Sequence, residues 1–446
     1  MKPRNTLTIV LLWFCVLAQT RDTWCDNGTL TLNDSSSFWR PAKPIGQDLP
    51  ADQYYPRGRL FPFSGFAGVP ERDRPVGYSL LGPVYVEPAA FLASATEAGV
   101  RVIYPIGIGK EELAASETNP LSDAEIRTRI QQQVAGVRAN DSIAWWYLVP
   151  EELRYWREHE INYLKVAAEA IRQADPKDRP IWIYEPNHRT AESLAITGKY
   201  VDIIGKGAYT NFAGQTNSRV WIRWSMEQQT DAIEALGGNQ TPILVPEMFQ
   251  DPQPQDRGRI ADWVRHDVVL GLIHGAKGVV VYSLFNRPQL ENSFDDYYDA
   301  YAGIARELLQ NRKLGEVILF GEARSDLVIE QVTGPENVLI TPQQAKVEAN
   351  SLTETEQQEQ ARISYPAIST RELAFGNKRY LFVCNSSDDQ SVELSVTGFP
   401  PGSTLVTEAF SFNFLHPRIR GAELHDAVPP LGVRCYVFSE FSPIGQ

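Results

Sequence analysis

Two apolar runs in this chain end in carboxylates. SIAWWYLV (142–149) leads directly into Pro150-Glu151-Glu152, and PILVPE (242–247) closes on Glu247. Two carboxylates facing each other across a sugar-sized cleft can cleave a glycosidic bond: one protonates the leaving oxygen while the other attacks the anomeric carbon or activates a water. A neighbouring negative charge and partial burial raise the pKa of the acid and keep its proton near neutrality. The plainer alternative is that such carboxylates pair with Arg or cap helices. Other polar groups occupy similar places. Asn187, His188 and Arg189 follow PIWIYEP (180–186), while VDIIGKGAY (201–209) ends in Tyr209 and is followed by Thr210 and Asn211. These suit hydroxyls, and Arg189 suits a uronate carboxylate, since a guanidinium matches carboxylate geometry. Each alone is more often a loop-stabilising residue than a ligand.

Such residues converge only if the intervening chain folds them together. Eight short apolar runs are spaced along it: 59–66, 78–86, 100–107, 142–149, 180–186, 201–209, 242–247 and 278–285. Helix-like stretches separate them at 88–99, 123–137, 160–174, 190–197, 221–237 and 259–276, and another follows at 295–311. Ser122 or Asp123 caps the second of these, and Gly99, Gly237 and Gly275 stand near helix ends. Only AGVPERDRPVG, after the first run, reads as loop. Eight parallel strands with intervening helices close most economically as a (β/α)8 TIM barrel, whose reacting groups collect at the C-terminal strand ends. An open doubly wound sheet would need a Gly-rich phosphate turn or a switch-point cleft, and neither is found. Trp221 and Trp224, at helical spacing, read as packing rather than a sugar clamp.

From residue 315 the texture becomes strands without helices: EVILFGEA, LVIEQVTG, VLITPQQA, RELAFGNKRYLFVCN, QSVELSVTG and VRCYVFS. The expectation is a smaller antiparallel β-sandwich, with the polar insert 348–364 as a loop. The implied division is a signal peptide at 1–20, an extended arm at 21–57, the barrel at 58–314 and the sandwich at 315–446.

Composition narrows the partners. Acidic residues number 55 against 42 basic, a net charge of -13, and no dense basic stretch exists to bind a phosphate backbone, so nucleic acid is not expected. The 10 Trp, 18 Tyr and 19 Phe suit sugar faces as well as cores. Six scattered His show neither HExxH spacing nor a nearby Cys pair, so no metal or other cofactor is implied. GIGK (107–110) lacks the flanking residues of a phosphate loop, and FSGF is not a nucleophile elbow. Lys2 and Arg4 before LTIVLLWFCVLA (7–18) have the layout of a secretory signal, too short to span a bilayer comfortably. A secreted or periplasmic chain with no membrane anchor after cleavage follows. It would keep Cys25, Cys384 and Cys435; the latter two either form a bridge between strands or remain buried thiols.

Residues 59–311 resemble the large clan of retaining glycoside hydrolases with (β/α)8 barrels, in which a trailing β-sandwich is common. That clan's acid/base Glu ends strand four, often as Trp, three residues, Asn, Glu; Trp146-Tyr147-Leu148-Val149-Pro150-Glu151 keeps the spacing, with Pro150 in place of Asn. The resemblance favours Glu151 over Glu152 as acid/base and makes Glu247, ending strand seven, the nucleophile. Asp202-Ile203-Ile204-Gly205-Lys206-Gly207-Ala208-Tyr209 is similar to the clan's strand six, with Gly207 in place of a His, and implies that the Tyr209 phenol hydrogen-bonds the nucleophile. Where strand eight usually offers a Trp platform, Tyr282 or Phe285 takes that part. The implied protein is an exported glycoside hydrolase acting on a carbohydrate with retention. The alternatives are a non-catalytic carbohydrate-binding or surface-assembly protein on the same barrel, and a polysaccharide lyase with a Tyr or His base.

Overall fold

The computed structural model describes residues 60–119, 121–311, 313–340, 363–399, 404–408, 418–420 and 423–439. The expected signal peptide, the whole of the arm, Cys25 and nearly all of the 348–364 insert lie outside them.

The first part of the chain alternates strands and helices. In order these are β1 (Phe63–Gly65), α1 (Pro70–Asp73), β2 (Leu80–Leu81), α2 (Pro88–Ala98), β3 (Arg101–Gly107), α3 (Lys110–Ala115), α4 (Asp123–Val137), β4 (Ile143–Val149), α5 (Glu158–Ala174) and β5 (Ile181–Glu185). Then come α6 (Ala191–Gly198), β6 (Ile203–Ala208), α7 (Trp221–Ala235), β7 (Thr241–Pro242), β8 (Val245–Pro246), α8 (Ile260–Ile273), β9 (Val279–Val281), α9 (Phe294–Arg306) and α10 (Leu314–Phe320).

Local chemistry fixes several boundaries. Ser122 and Glu125 form a reciprocal capping box, so α4 begins at Asp123. Gly99 ends α2 in the left-handed region at φ 66°, its amide bonded back to Ala95 and Thr96 carbonyls. The AGVPERDRPVG stretch, read as loop, holds the single turn α1, with Pro70 at its start.

The strands form a curled parallel sheet in the order β2-β3-β4-β5-β6-β7, with β8 also on β6, and β1 pairs parallel with β9. Backbone bonds continue between these pieces. Ser79 and Gly82 amides donate to Phe63 and Gly65 carbonyls, each at 3.1 Å, and the Val280 amide donates to Leu244 O at 2.9 Å. Strands β3 to β6 are buried on both faces, which is why they read as unbroken apolar runs. Phe66 plugs the sheet's concave interior, edge-on to Tyr147, Trp182, Tyr184 and Tyr282 at centroid distances of 5.0–6.2 Å. The Tyr282–Ser283 peptide is cis.

One expectation fails at the junction. EVILFGEA was expected to be a strand, yet its first part is helix α10, and only Glu322–Arg324 is extended. Burial decides this against β-propensity: Leu314, Gly315, Val317, Ile318 and Leu319 are all buried, and Gly315 sits so close to Phe61 that a Cβ would meet it at 2.4 Å.

The rest is antiparallel. The strands are β10 (Glu322–Arg324), β11 (Val328–Thr333), β12 (Asn337–Ile340), β13 (Ile363–Pro366), β14 (Ile368–Phe375), β15 (Lys378–Asn385), β16 (Val392–Thr397), β17 (Thr404–Glu408), β18 (Arg418–Arg420), β19 (Glu423–Val428) and β20 (Val433–Ser439). A five-stranded sheet, β10-β14-β15-β20-β17, stands beside a four-stranded one, β11-β16-β19-β18, and β12-β13 is a separate pair. Cys384 and Cys435 are both buried thiols on adjacent strands, facing Val433 and Phe382 rather than each other, so no bridge joins them. The five-stranded sheet packs on α8. Polar bonds pin that seam: His266 Nε2 lies 3.0 Å from Ser386 Oγ, His274 Nε2 lies 3.0 Å from Ser369 Oγ, and Arg371 donates to Leu272 O at 2.7 Å.

Candidate active site

In a parallel barrel-like sheet, the loops after the C-terminal strand ends form the concave face, and the carboxylates of interest collect there. Glu247 follows β8 and is 5% exposed. Its carboxylate accepts from the Asn211 amide at 2.5 Å and the Phe212 amide at 3.1 Å, both in the loop after β6. Burial pushes this carboxyl up to about 7, although both amides and the Arg219 guanidinium pull it down. Arg219 itself is clamped by Asp267 of α8 and donates to Asn211 Oδ1 at 3.0 Å, so it holds the loop that holds Glu247. Asp267 in turn lies 3.0 Å from His266 Nδ1.

Glu151 and Glu152 leave β4 in different directions. Glu151 accepts from the Tyr85 hydroxyl at 2.6 Å and from the Tyr147 hydroxyl, and its charge pushes up the Tyr282 phenol after burial does. Glu152 has a left-handed backbone, φ 58°, and sits near Lys110, Glu185 and Arg189. Its pKa is raised, first by burial and then by Glu151. Tyr282 links the two sites: it pairs with Glu247 across a parallel bridge and feels the charge of Glu151 and, less strongly, that of Glu152.

Tyr209 does not take the expected part. The bonds to Glu247 come from backbone amides, whereas the Tyr209 ring stacks on Tyr184 and Tyr282 at 6.3 and 5.7 Å, and its phenol is affected by Glu151 rather than Glu247. Gly207 explains the geometry. A Cβ there would meet the Tyr184 hydroxyl at 2.6 Å and the Tyr209 ring at 3.0 Å, so the place where the resembled clan carries a His is filled by phenols.

Arg189 is also spent. It is 2% exposed, forms an ion pair with Glu185 at 3.3 Å, donates to Leu153 O and lies 4.5 Å from the Tyr155 ring centroid. A guanidinium buried to this degree is out of reach of a substrate carboxylate. Asn187 is a brace: its Oδ1 accepts from the Tyr209 amide and Trp221 Nε1, each at 3.0 Å. Asn211 donates to the Tyr297 hydroxyl at 3.3 Å while holding Glu247. His188 is half-buried, with its pKa pushed down to about 4 by burial and then by Arg189, so it is neutral at pH 7. Tyr282 is half-buried and Phe285 is 57% exposed. Trp221 and Trp224 are buried and stack on one another, as packing residues do.

Other acids serve structure. Asp202 precedes β6, at the opposite end of the sheet from this face, where it accepts from the Ile181 amide at 2.9 Å and from Arg172 at 3.2 Å. Asp251 accepts from Ser293 and Asn292 and ties two loops together. Sequence reasoning passed over Tyr85, Tyr147, Arg219 and Asp267, whose roles exist only through contacts across 66, 4, 8 and 48 residues of chain. Among the described residues no group of three or more His, Cys, Asp or Glu is arranged to hold a metal, and no helix is long and apolar enough to cross a membrane.

No protein-family model and no curated protein matches the chain. Solved structures similar to it include the alpha-amylase from H. orenii, at 11% identity over 86% of this chain and 100% of that one, with a TM-score of 0.49. The maltogenic alpha-amylase AmyB from Thermotoga neapolitana is similar at 11% identity over 86% and 99%, TM-score 0.47. The glycoside hydrolase family 30 subfamily 8 xylanase from Clostridium acetobutylicum is similar at 11% identity over 86% and 96%, TM-score 0.41. Likeness at this level carries no functional argument, and the architecture rests on the strand order and registers given above.

Proposed function

We propose that the protein is a glycoside hydrolase acting on a polysaccharide or oligosaccharide at the C-terminal mouth of a closed (β/α)8 barrel. Closure is supported by the bonds from Gly82 to Gly65 and from Val280 to Leu244, which span the two edges of the curled sheet. Glu247 is the nucleophile and Glu151 the acid/base of a double displacement with retention. The observation that carries the reading is the placement of Tyr282, beside Glu247 across one bridge and within the field of the carboxylates that follow β4, Glu151 more than Glu152. Glu151 is preferred to Glu152 because two phenols, Tyr85 and Tyr147, fix its carboxylate on this side. Export after cleavage near residue 20, and the division into arm, barrel and sandwich, belong to the same proposal; N-terminal sequencing of the secreted chain tests the first.

The experiment is a panel of aryl glycosides and polysaccharides assayed with the wild type and with Glu247→Gln, Glu151→Gln and Glu152→Gln. Loss of about 100-fold or more in the first two, with Glu152→Gln close to wild type, is expected. NMR of the released anomer reports retention. A second reading, a non-catalytic carbohydrate-binding protein, is favoured by one observation: both Glu247 oxygens are already engaged and the residue is 5% exposed. Tight binding without hydrolysis, unchanged by Glu247→Gln, would establish that reading instead.

A further inference from the structure

We propose that the glycan taken at this mouth carries an oxyanion, a uronate carboxylate or a sulfate ester, and that Arg287 reads it. The inference rests on the carbohydrate reading of the site but not on its catalysis.

Arginines in the segments that follow the strands at this end of the sheet are mostly committed. Arg72, Arg154, Arg189, Arg219 and Arg257 form ion pairs with Asp73, Glu160, Glu185, Asp267 and Asp296. Arg287, in the loop after β9, forms no ion pair among the described residues, and its buried Nε has no hydrogen-bond partner there. Yet it is held in place. Nη2 donates to Ser283 Oγ, and the guanidinium carbon lies 5.6 Å from the Tyr282 ring centroid and 5.7 Å from that of Phe285. Contact with two ring faces orients the planar fork and leaves it without a counter-ion. The Tyr282 phenol feels Glu151 and Arg287 together, so the cation and the proposed acid/base border the same space.

The surroundings match a sugar that bears such a group. Phe285 and Phe212 are each 57% exposed and Tyr85 is 50% exposed, all on loops at this face. Apolar rings take the C–H face of a pyranose, and a preset guanidinium fork takes a carboxylate or sulfate through paired charge-assisted hydrogen bonds. A neutral glycan would leave this charge unanswered.

The test uses the full chain carrying Glu247→Gln, so that affinity is read without turnover. Calorimetry compares two pairs of oligosaccharides: a uronate oligomer with its carboxyl-reduced twin, and a sulfated galactan oligomer with its desulfated twin. One anionic member is expected to bind about 10- to 100-fold more tightly than its neutral twin, and the pair that shows this identifies the oxyanion. Adding Arg287→Gln should erase the difference, and Arg287→Lys should restore part of it. A melting temperature within about 2 °C of the parent, the range of a surface change, shows that the variant is folded. Equal binding of the twins, no binding of either anionic member, or a preference that survives Arg287→Gln overturns the proposal. If the preference holds while the wild type releases no sugar, only the hydrolase reading falls.

Discussion

Glu247→Gln removes an ionisation while nearly keeping shape, so it isolates what burial does to this carboxyl. Burial raises its pKa from 4.5 to about 7, meaning that the folded protein holds this proton more tightly than the unfolded chain does. A group raised in this sense contributes stability that is full below about pH 4.5 and lost as pH rises through about 7. From 4.5 to 7, at ~1.36 kcal/mol per pH unit, the loss totals about 3 kcal/mol, of which about 2.5 falls between pH 5 and pH 8. The Gln amide loses one acceptor towards the Asn211 or Phe212 amide, but that cost does not depend on pH and cancels between the two conditions. Urea unfolding of both proteins at pH 5 and pH 8 measures the effect. The stability of Glu247→Gln relative to wild type should improve by about 2–3 kcal/mol at the higher pH. A difference that is flat with pH, or that moves the other way, refutes the argument that the carboxyl is protonated by burial. If Glu247 is the nucleophile, wild-type kcat/KM should rise with pH through a midpoint near 7 as it ionises.

Arg189→Met leaves Glu185 buried without its cation and should cost about 3–5 kcal/mol, read as a fall in melting temperature that Glu185→Leu on the same chain partly reverses. Lys206 is buried against Ser225 and Trp224 without a carboxylate, and burial pushes its pKa far down. Lys206→Met should therefore stabilise the fold by about 1 kcal/mol or more, with the gain growing as pH falls; unfolding at pH 5 and 8 checks the trend. Tyr147→Phe removes one of two phenols from Glu151 and should lower kcat/KM by about 10-fold, and Tyr85→Phe/Tyr147→Phe together by more. An unchanged double variant would remove the grounds for preferring Glu151.

Much of the architecture was legible because strands buried on both faces must be apolar throughout. IAWWYLV and IWIYE announce themselves in this way, and the box at Ser122 and Glu125 marks a helix start within a residue. Four strands, β13, β17, β18 and β19, went unread. In β19, Leu424, Asp426 and Val428 alternate inward, but the buried Asp426 hides the period, since only the structure shows its bonds to Arg434 and Tyr436. VILF misled in the opposite direction, being β-prone in type and helical in place. At the site, Glu247 and Glu151 were visible because they end strands. Arg189 was misjudged because its pairing with Glu185 depends on how the loop turns back, and Arg287 was missed because what distinguishes it among the described residues is the lack of an acidic partner.

The seam between α8 and the antiparallel sheet reaches further than its own contacts. From Ser386 the bonds pass to His266, Asp267, Arg219 and Asn211, and so to the amide that grips Glu247. The last third of the chain is thus a splint for the mouth rather than an appendage. A fragment cut near residue 321 would bare the apolar flank of α8 and also loosen the carboxylate at the far end of this relay, so the chain cannot be trimmed to its parallel sheet and helices without disturbing the setting of Glu247.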